Sequence, residues 1–311
     1  MGFPSWCLSF LYLIIVLSDV FIRSMEFPEY MVSDSEIVNL VKQFRQQDVN
    51  KAANEQIILD YQRHTTVGDS SDKAEQRFFK RVDPALLERN TYKKWIALSN
   101  EFVPEAGIEE KNTPEKNKAI DEFLDAAFNT SIWRNLFHFM NDKGHPYAVN
   151  LKTFRIWIRH LWFGGYSRKM RLIDSSGFEH VFMGEYNDNS INGMHSWIRF
   201  YLLERNASQQ LNYHGYIIKR FNFMAAVKFS WRNHVKRVTS FFIGTSPEFD
   251  LALYTLCFLT RQSRNTCKFE LEGCPFLVTS YNFKQQGKNF IGTIYPISGP
   301  FTNKCRQYNS Y

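Results

Sequence analysis

A chain of 311 residues, 44% apolar and 16% aromatic, with 29 Phe against 15 Gly, has the material for a substantial core, which excludes a disordered or low-complexity polymer. Its 38 Lys and Arg against 31 Asp and Glu give a formal net charge of +7, a balance that favours a polyanion such as nucleic acid or an acidic membrane surface. There is no P-loop, no Rossmann glycine fingerprint, no GxSxG and no HExxH, so phosphate-cradle, serine-hydrolase and zincin chemistry have no motif to rest on.

Along the chain, "CLSFLYLIIVLSDVFI" is too short and too interrupted by Asp19 for a membrane span. Residues 1–24 are expected to be a secretory signal peptide cleaved after Ser18 or Ser24, with an uncleaved membrane anchor as the alternative. Residues 25–170 then read as mainly helical. Ser33 and Glu36 form a capping-box pattern ahead of Ile37, Leu40, Val41 and Phe44. Asp83-Pro84 opens a second helix, and Trp95, Leu98 and Phe102 continue the apolar pattern beyond it. Thr113-Pro114 opens another, with Ile120, Phe123, Leu124 and Ala127 on one side. Stripes at Trp133, Leu136, Phe137 and Met140, and at Phe154, Trp157, Ile158 and Leu161, complete this part and are assigned to core packing.

The pattern changes near "GGYSRKMRLIDSSG", and residues 171–311 are rich in β-branched and aromatic runs. Strands are expected at 178–186, 213–221, 224–231, 238–243, 266–271, 275–283 and 289–297. Two helices interrupt them, "HSWIRFYLLERN" and "TSPEFDLALYTLCFLTR", the second capped by Ser246 with Pro247 in its first position. Helices first and strands later argue for an α+β fold. Cys7 falls in the leader. The other four, Cys257, Cys267, Cys274 and Cys305, contain no CxxC pair and suit an oxidising compartment. Cys257 and Cys267 flank the short connection after a helix and are expected to bridge, which leaves Cys274 for Cys305. Asn129-Thr130-Ser131 and Asn206-Ala207-Ser208 are glycosylation sequons if the chain is secreted.

Of eight histidines, His64, His138, His145 and His160 have ordinary neighbours, and His214 and His234 can be bystanders. His180 and His195 stand on the two arms of the turn "NDNSING", with Glu179 and Glu185 nearby. Two imidazoles beside one phosphodiester can serve RNA cleavage. One takes the proton of the ribose 2′-OH and the other gives a proton to the departing 5′ oxygen. A fixed cation would offset the charge gained by the phosphorane. Basic charge would hold the backbone, and aromatic rings would stack on unpaired bases.

"DSSGFEHVFMGE", "GMHSWIRFYL", "FSWRNHVKRVTSFFIGTSPEFDLALYTLCFL" and "LVTSYNF" together resemble the EndoU family of poly(U)-specific endoribonucleases, also called XendoU-like. "FFKRVDPALLERNTYKKWIALSNEF" and "LWFGGYSR" agree in broad terms, and the likeness covers residues 33–303 as one domain. The resemblance implies a helical N-terminal part packed beside a C-terminal catalytic part of antiparallel β-sheets with a few helices. It implies a ribonuclease A-like trio of His180, His195 and Lys236, supported by the acidic Glu179 and Glu185. It places Ser240, Thr279 and Tyr281 around the uridine. The implied reaction is cleavage of single-stranded RNA at uridines to 2′,3′-cyclic phosphate ends, with His195 as base and His180 as acid. Spacing alone leaves those two roles exchangeable. Mn²⁺ is implied, and a response to Ca²⁺ in some members. The metal ligands are not fixed by the sequence, beyond carboxylates such as Glu179 or Glu185 acting with the RNA phosphate. The chain departs from the pattern at "NDNSING" and at "SWRNHVKRV", where Arg232 and Arg237 stand at positions often acidic. The alternative is a non-catalytic RNA-binding or secreted interaction protein on the same fold, which would have no need of a proton-transfer pair. No stable protein partner is implied, and a monomer is expected.

Overall fold

The computed structural model describes residues 32–168, 172–187, 190–261 and 266–309. The expected leader and positions 188–189 of the turn lie outside them. The α+β expectation holds, with helices dominating the first half and two three-stranded antiparallel sheets in the second.

The N-terminal helices start where short polar side chains can satisfy free backbone N–H groups. In α1 (Asp34–Gln47), Ser33 Oγ accepts from Glu36 N while Glu36 Oε2 accepts from Ser33 N at 2.9 Å, closing the capping box. Its apolar face, Ile37, Leu40, Val41 and Phe44, is buried. One feature escapes a helical reading: β1 (Ile57–Leu59) and β2 (Phe79–Val82) pair as a small antiparallel ladder. Segments of three and four residues are too short to show a strand period. Buried Glu204 anchors this ladder from a distance, accepting from Phe78 N at 2.6 Å and Phe79 N at 3.0 Å. The helix opened by Asp83-Pro84 is only α2 (Pro84–Leu87), followed by α3 (Asn90–Ser99). Phe102 lies beyond α3, where its ring stacks on Phe178 at 5.6 Å. Thr113, Thr130 and Asn150 cap α4 (Pro114–Phe128), α5 (Ser131–Asp142) and α6 (Leu151–Phe163).

Two short ladders follow, β3 (Gly165–Tyr166) with β4 (Ser175–Ser176), and β5 (Glu185–Asn187) with β6 (Ser190–Asn192). Between them the expected strand at 178–186 is overturned: Glu179–Met183 forms a π-helical turn. The apolar–polar alternation of "FEHVF" mimics a strand, but here every residue from Phe178 to Met183 is buried, the charged ones included. Alternation carries no face information where both sides are covered.

The helix α7 (Trp197–Arg205) leads into one sheet, β7 (Leu211–Arg220), β8 (Met224–Trp231) and β9 (His234–Phe242), in that spatial order. After α8 (Pro247–Thr260) comes the second sheet, β10 (Thr266–Leu271), β11 (Cys274–Gln285) and β12 (Lys288–Ser298), and then α9 (Asn303–Tyr308). All fourteen residues of α8 are buried, so its near-continuous apolar sequence marks the centre of the molecule. Trp133 and Trp162 donate to Glu248 O and Thr255 Oγ1 of this helix, at 3.1 and 2.8 Å. Asp48, Glu248 and Asp250 crowd its N-terminus, where the helix dipole favours negative charge. Burial, and then Glu248, still push the Asp48 carboxyl up to about 7. One apolar core runs from Val32 to Cys305 across both halves. Cys257 pairs with Cys267 and Cys274 with Cys305, with Cα separations of 5.3 and 4.3 Å. None of the described helices is long and apolar enough to cross a membrane.

Candidate active site

The first histidine is placed by the π-helical turn. A π turn carries an extra residue per turn and is common where a side chain must be re-aimed. Glu185, on β5, receives His180 Nδ1 on Oε2 at 2.9 Å. Arg168 Nε lies 3.2 Å from the same oxygen, and the Ser175 hydroxyl donates to Oε1. Both carboxylate oxygens are therefore engaged. Burial works to raise the Glu185 pKa, but His180, Arg168 and Ser175 outweigh it and hold the group ionised, below its ordinary value.

His195 precedes α7 rather than sitting in it, with Ser196 as the cap. Its backbone is stitched to the π turn: His195 N donates to Val181 O at 2.6 Å and Met194 N to His180 O at 3.2 Å. Gly193 makes that approach possible. It has φ +66°, and a Cβ there would sit 1.6 Å from the His180 carbonyl oxygen. His195 Nδ1 meets the Ser240 carbonyl oxygen at 2.9 Å. A carbonyl can only accept, so Nδ1 carries the proton and Nε2 is left as the basic nitrogen.

Lys236 comes from β9, with Nζ donating to Ile191 O at 3.0 Å. Burial lowers its pKa to about 8, against a smaller upward pull from Glu185. His180 is 8% exposed and His195 7%, and both line one open cavity of about 400 Å³ with Lys236 and Ser240. Burial lowers the pKa of both rings. For His180 the Glu185 hydrogen bond and charge work against that, whereas for His195 the Lys236 charge adds to it and the shift is larger.

The remaining sequence candidates divide. Ser240 lines the cavity and its hydroxyl donates to Pro296 O at 2.5 Å. Thr279 and Tyr281 do not line it. Thr279 lies opposite Tyr295 and Tyr281 opposite Thr293 in the β11–β12 ladder, so they share a sheet face with the two β12 residues that line the cavity, one strand further out. Tyr281 is 45% exposed and its side chain hydrogen-bonds to that of Tyr295, whose ring lies 5.5 Å from that of His195. Sequence reasoning missed Tyr295, although the alternation in "GTIYPIS" places Thr293, Tyr295 and Ile297 on one face. It also missed Arg168 and Thr239, whose Oγ1 donates to Met194 O at 2.7 Å and steadies the His195 segment.

Glu179 is wholly buried and does not line the cavity, so it stands behind His180 rather than against a substrate. Burial first, then the Glu110 and Glu185 carboxylates, push its pKa well above the ordinary value. Glu179 and His180 are neighbours on the turn and point in different directions, so aiming His180 at the cavity turns Glu179 away from it. This bears on the implied Mn²⁺ or Ca²⁺. Glu179 is inaccessible, both oxygens of Glu185 are engaged, and no group of three or more His, Cys, Asp or Glu among the described residues is arranged to hold a metal ion. The donor set does not fit a metal held by the protein in this cavity.

Two buried imidazoles, each with Nδ1 held by an acceptor, line one cleft with an ammonium, an arrangement that can move protons at a bound substrate. The family model for endoribonuclease XendoU matches residues 36–296, and the chain belongs to that family. Uridylate-specific endoribonucleases C and D of Xenopus laevis are 35% and 36% identical to it, covering 85% of this chain and 90% and 89% of theirs. A human uridylate-specific endoribonuclease is 32% identical, covering 86% of this chain and 67% of its own. The solved structure of XendoU, described as a splicing-independent snoRNA-processing endoribonuclease, superposes with a TM-score of 0.70 at 28% identity, covering 85% of this chain and 97% of that one.

Proposed function

We propose that the protein is a uridylate-specific endoribonuclease that cuts single-stranded RNA by 2′-OH transesterification. His195 Nε2 takes the 2′-OH proton as the 2′ oxygen bonds to phosphorus. The bond from phosphorus to the 5′ oxygen breaks, and that oxygen takes the Nε2 proton of His180. The products are a 2′,3′-cyclic phosphate and a 5′-hydroxyl, so the reaction is formally a lyase reaction. Lys236 offsets the charge gained on a non-bridging oxygen. The observation that carries the reading is the unequal support of the two rings. A carboxylate on Nδ1 favours the charged form of His180, and a backbone carbonyl on Nδ1 of His195, beside Lys236, favours the neutral one. This also supports His195 as the base.

Ser240 Oγ has spent its proton on Pro296 O and offers lone pairs to a uracil N–H, while the Tyr295 ring offers a face for stacking. The basic chain and its disulfide-paired cysteines fit a monomer acting outside the cell after loss of residues 1–24, with Asn129 and Asn206 exposed for glycosylation. The test is incubation with an RNA carrying a single uridine, with and without Mn²⁺, and mass analysis of the new 3′ end. A cyclic phosphate at the uridine is the expected product. Cleavage indifferent to base, or no cyclic phosphate at any time point, would sink the proposal.

A further inference from the structure

A second cleft, of about 640 Å³, lies between the end of α3 and one side of α7. Arg199, Arg205 and Arg232 line it, and no Asp or Glu does. Arg199 is the unusual member, because it is 8% exposed and makes no ion pair among the described residues. Its Nε donates to Met183 O at 3.2 Å, which leaves the two terminal nitrogens without a protein partner among the described residues. Glu179 bears on its charge from the interior, and the centre of the Trp231 ring lies 6.0 Å from the guanidinium, but the cleft itself offers no carboxylate. Burying a guanidinium is costly, and an anion in the cleft would offset part of that cost.

Arg232 stands in the β8–β9 turn with φ +48°, its guanidinium 5.7 Å from the centre of the Tyr186 ring. Its Nε is buried without a partner. Arg205 is braced against the Phe79 and Lys80 carbonyls at 2.9 and 2.8 Å. Three guanidiniums, two of them with unused donors, form a fork suited to a tetrahedral oxyanion.

The cleft is also tied through the backbone to the candidate active site. Met183, which receives Arg199, ends the turn that carries His180. Arg232 is four residues from Lys236, at most about 14 Å along a strand. Between them the His234 and Tyr186 rings stack at 6.1 Å. We propose that this cleft binds a backbone phosphate of the RNA, a few nucleotides from the scissile one. The assignment rests on the RNA-cleaving function proposed above and makes the enzyme one that grips a chain rather than a lone uridine.

The test uses Arg232→Glu, an accessible turn position outside the proton-transfer site, together with Arg199→Lys, which keeps the charge and removes the fork. Cleavage is compared on a uridine-containing dinucleotide, too short to reach the cleft, and on a long single-strand with one uridine. Arg232→Glu should lower kcat/KM on the long RNA roughly 10- to 100-fold, the worth of a charge-assisted hydrogen bond. It should leave the dinucleotide unchanged, and Arg199→Lys should show the same split more weakly. Affinity for an all-2′-deoxy oligomer, which cannot be cleaved, is read in parallel, so a failed cleavage reaction does not decide the matter. There Arg232→Glu should flatten the slope of log affinity against log salt by about 0.7 for each phosphate that is no longer neutralised. Equal falls on both substrates, or an unchanged salt slope, would overturn the proposal. A third arm follows melting in inorganic phosphate. If phosphate stabilises the wild type but not Arg232→Glu while long-RNA binding is unaffected, the cleft takes a free phosphate and the RNA assignment is wrong.

Discussion

Replacing Glu185 with Gln tests the logic of the site more sharply than removing a histidine does. The side chain keeps its shape and can still accept from His180 Nδ1, but the charge is gone. In the native protein the contact is 2.9 Å, almost fully buried, and is the main influence opposing the burial that lowers the His180 pKa. A hydrogen bond to a charged group is worth about 1.5–3 kcal/mol, and one pKa unit is about 1.4 kcal/mol, so the substitution should lower the His180 pKa by roughly 1–2 units. His180 acts only while protonated, below its pKa. The high-pH limb of the bell-shaped profile should therefore move down by that amount, and kcat/KM at neutral pH should fall about 10- to 100-fold. Activity should recover in part as the pH is lowered, because protonation then restores the acid. The low-pH limb, set by His195, should stay in place. The assay is the pH dependence of kcat/KM on a single-uridine RNA. A uniform loss at every pH would show that Glu185 only positions the ring. A shift of the low-pH limb instead would exchange the roles of the two histidines.

Four further outcomes are expected. His180→Ala and His195→Ala should each lose most activity with little change in melting temperature, and near-normal turnover would remove that residue from the mechanism. Lys236→Gln should cost several kcal/mol of transition-state stabilisation, about 100-fold or more in kcat, with a smaller effect on KM. Asp48 has a folded pKa of about 7, above its unfolded value, so the folded state binds the extra proton. The stability that Asp48 contributes should be fully present below about pH 4, decline toward pH 7 and be gone above it, a change of roughly 4 kcal/mol at most. Asp48→Asn should abolish that slope and raise the neutral-pH melting temperature, and an unchanged slope would assign it to other groups. Reducing Cys257–Cys267 and Cys274–Cys305 should lower the melting temperature, since each bridge is worth about 2–4 kcal/mol, and insensitivity to dithiothreitol would argue against both bridges.

The sequence was legible where one face of an element meets water. The stripe of Ile37, Leu40, Val41 and Phe44 marked α1 and its cap, and "TSPEFDLALYTLCFLTR" marked α8 almost to the residue. The strands of both sheets were found with shifts of a few positions at their ends. Legibility failed where burial is two-sided. Phe178–Met183 is covered all round, so its alternation pointed to a strand while packing against Phe102, Phe163 and Tyr254 made a turn. The same turn decided the site. His180, His195, Lys236 and Ser240 gather around one cavity, but the direction of Glu179 could be read only from the backbone. Tyr295 came to light only through the β11–β12 pairing, which sets Tyr295 and Thr293 opposite Thr279 and Tyr281. That is a matter of register, and local sequence does not encode it.

The close approach of Gly193 to the His180 carbonyl ties acid and base into one mechanical unit. Neither ring can be retuned in position alone, because any atom added at residue 193 pushes against the stretch of backbone that carries the other ring. A single methyl group there, Gly193→Ala, should act as a wedge that spreads the pair while every side chain of the site keeps its identity. The product would be a protein that holds RNA without cutting it. A lineage wanting a binder in place of a nuclease would need one carbon atom, and the histidines themselves could remain.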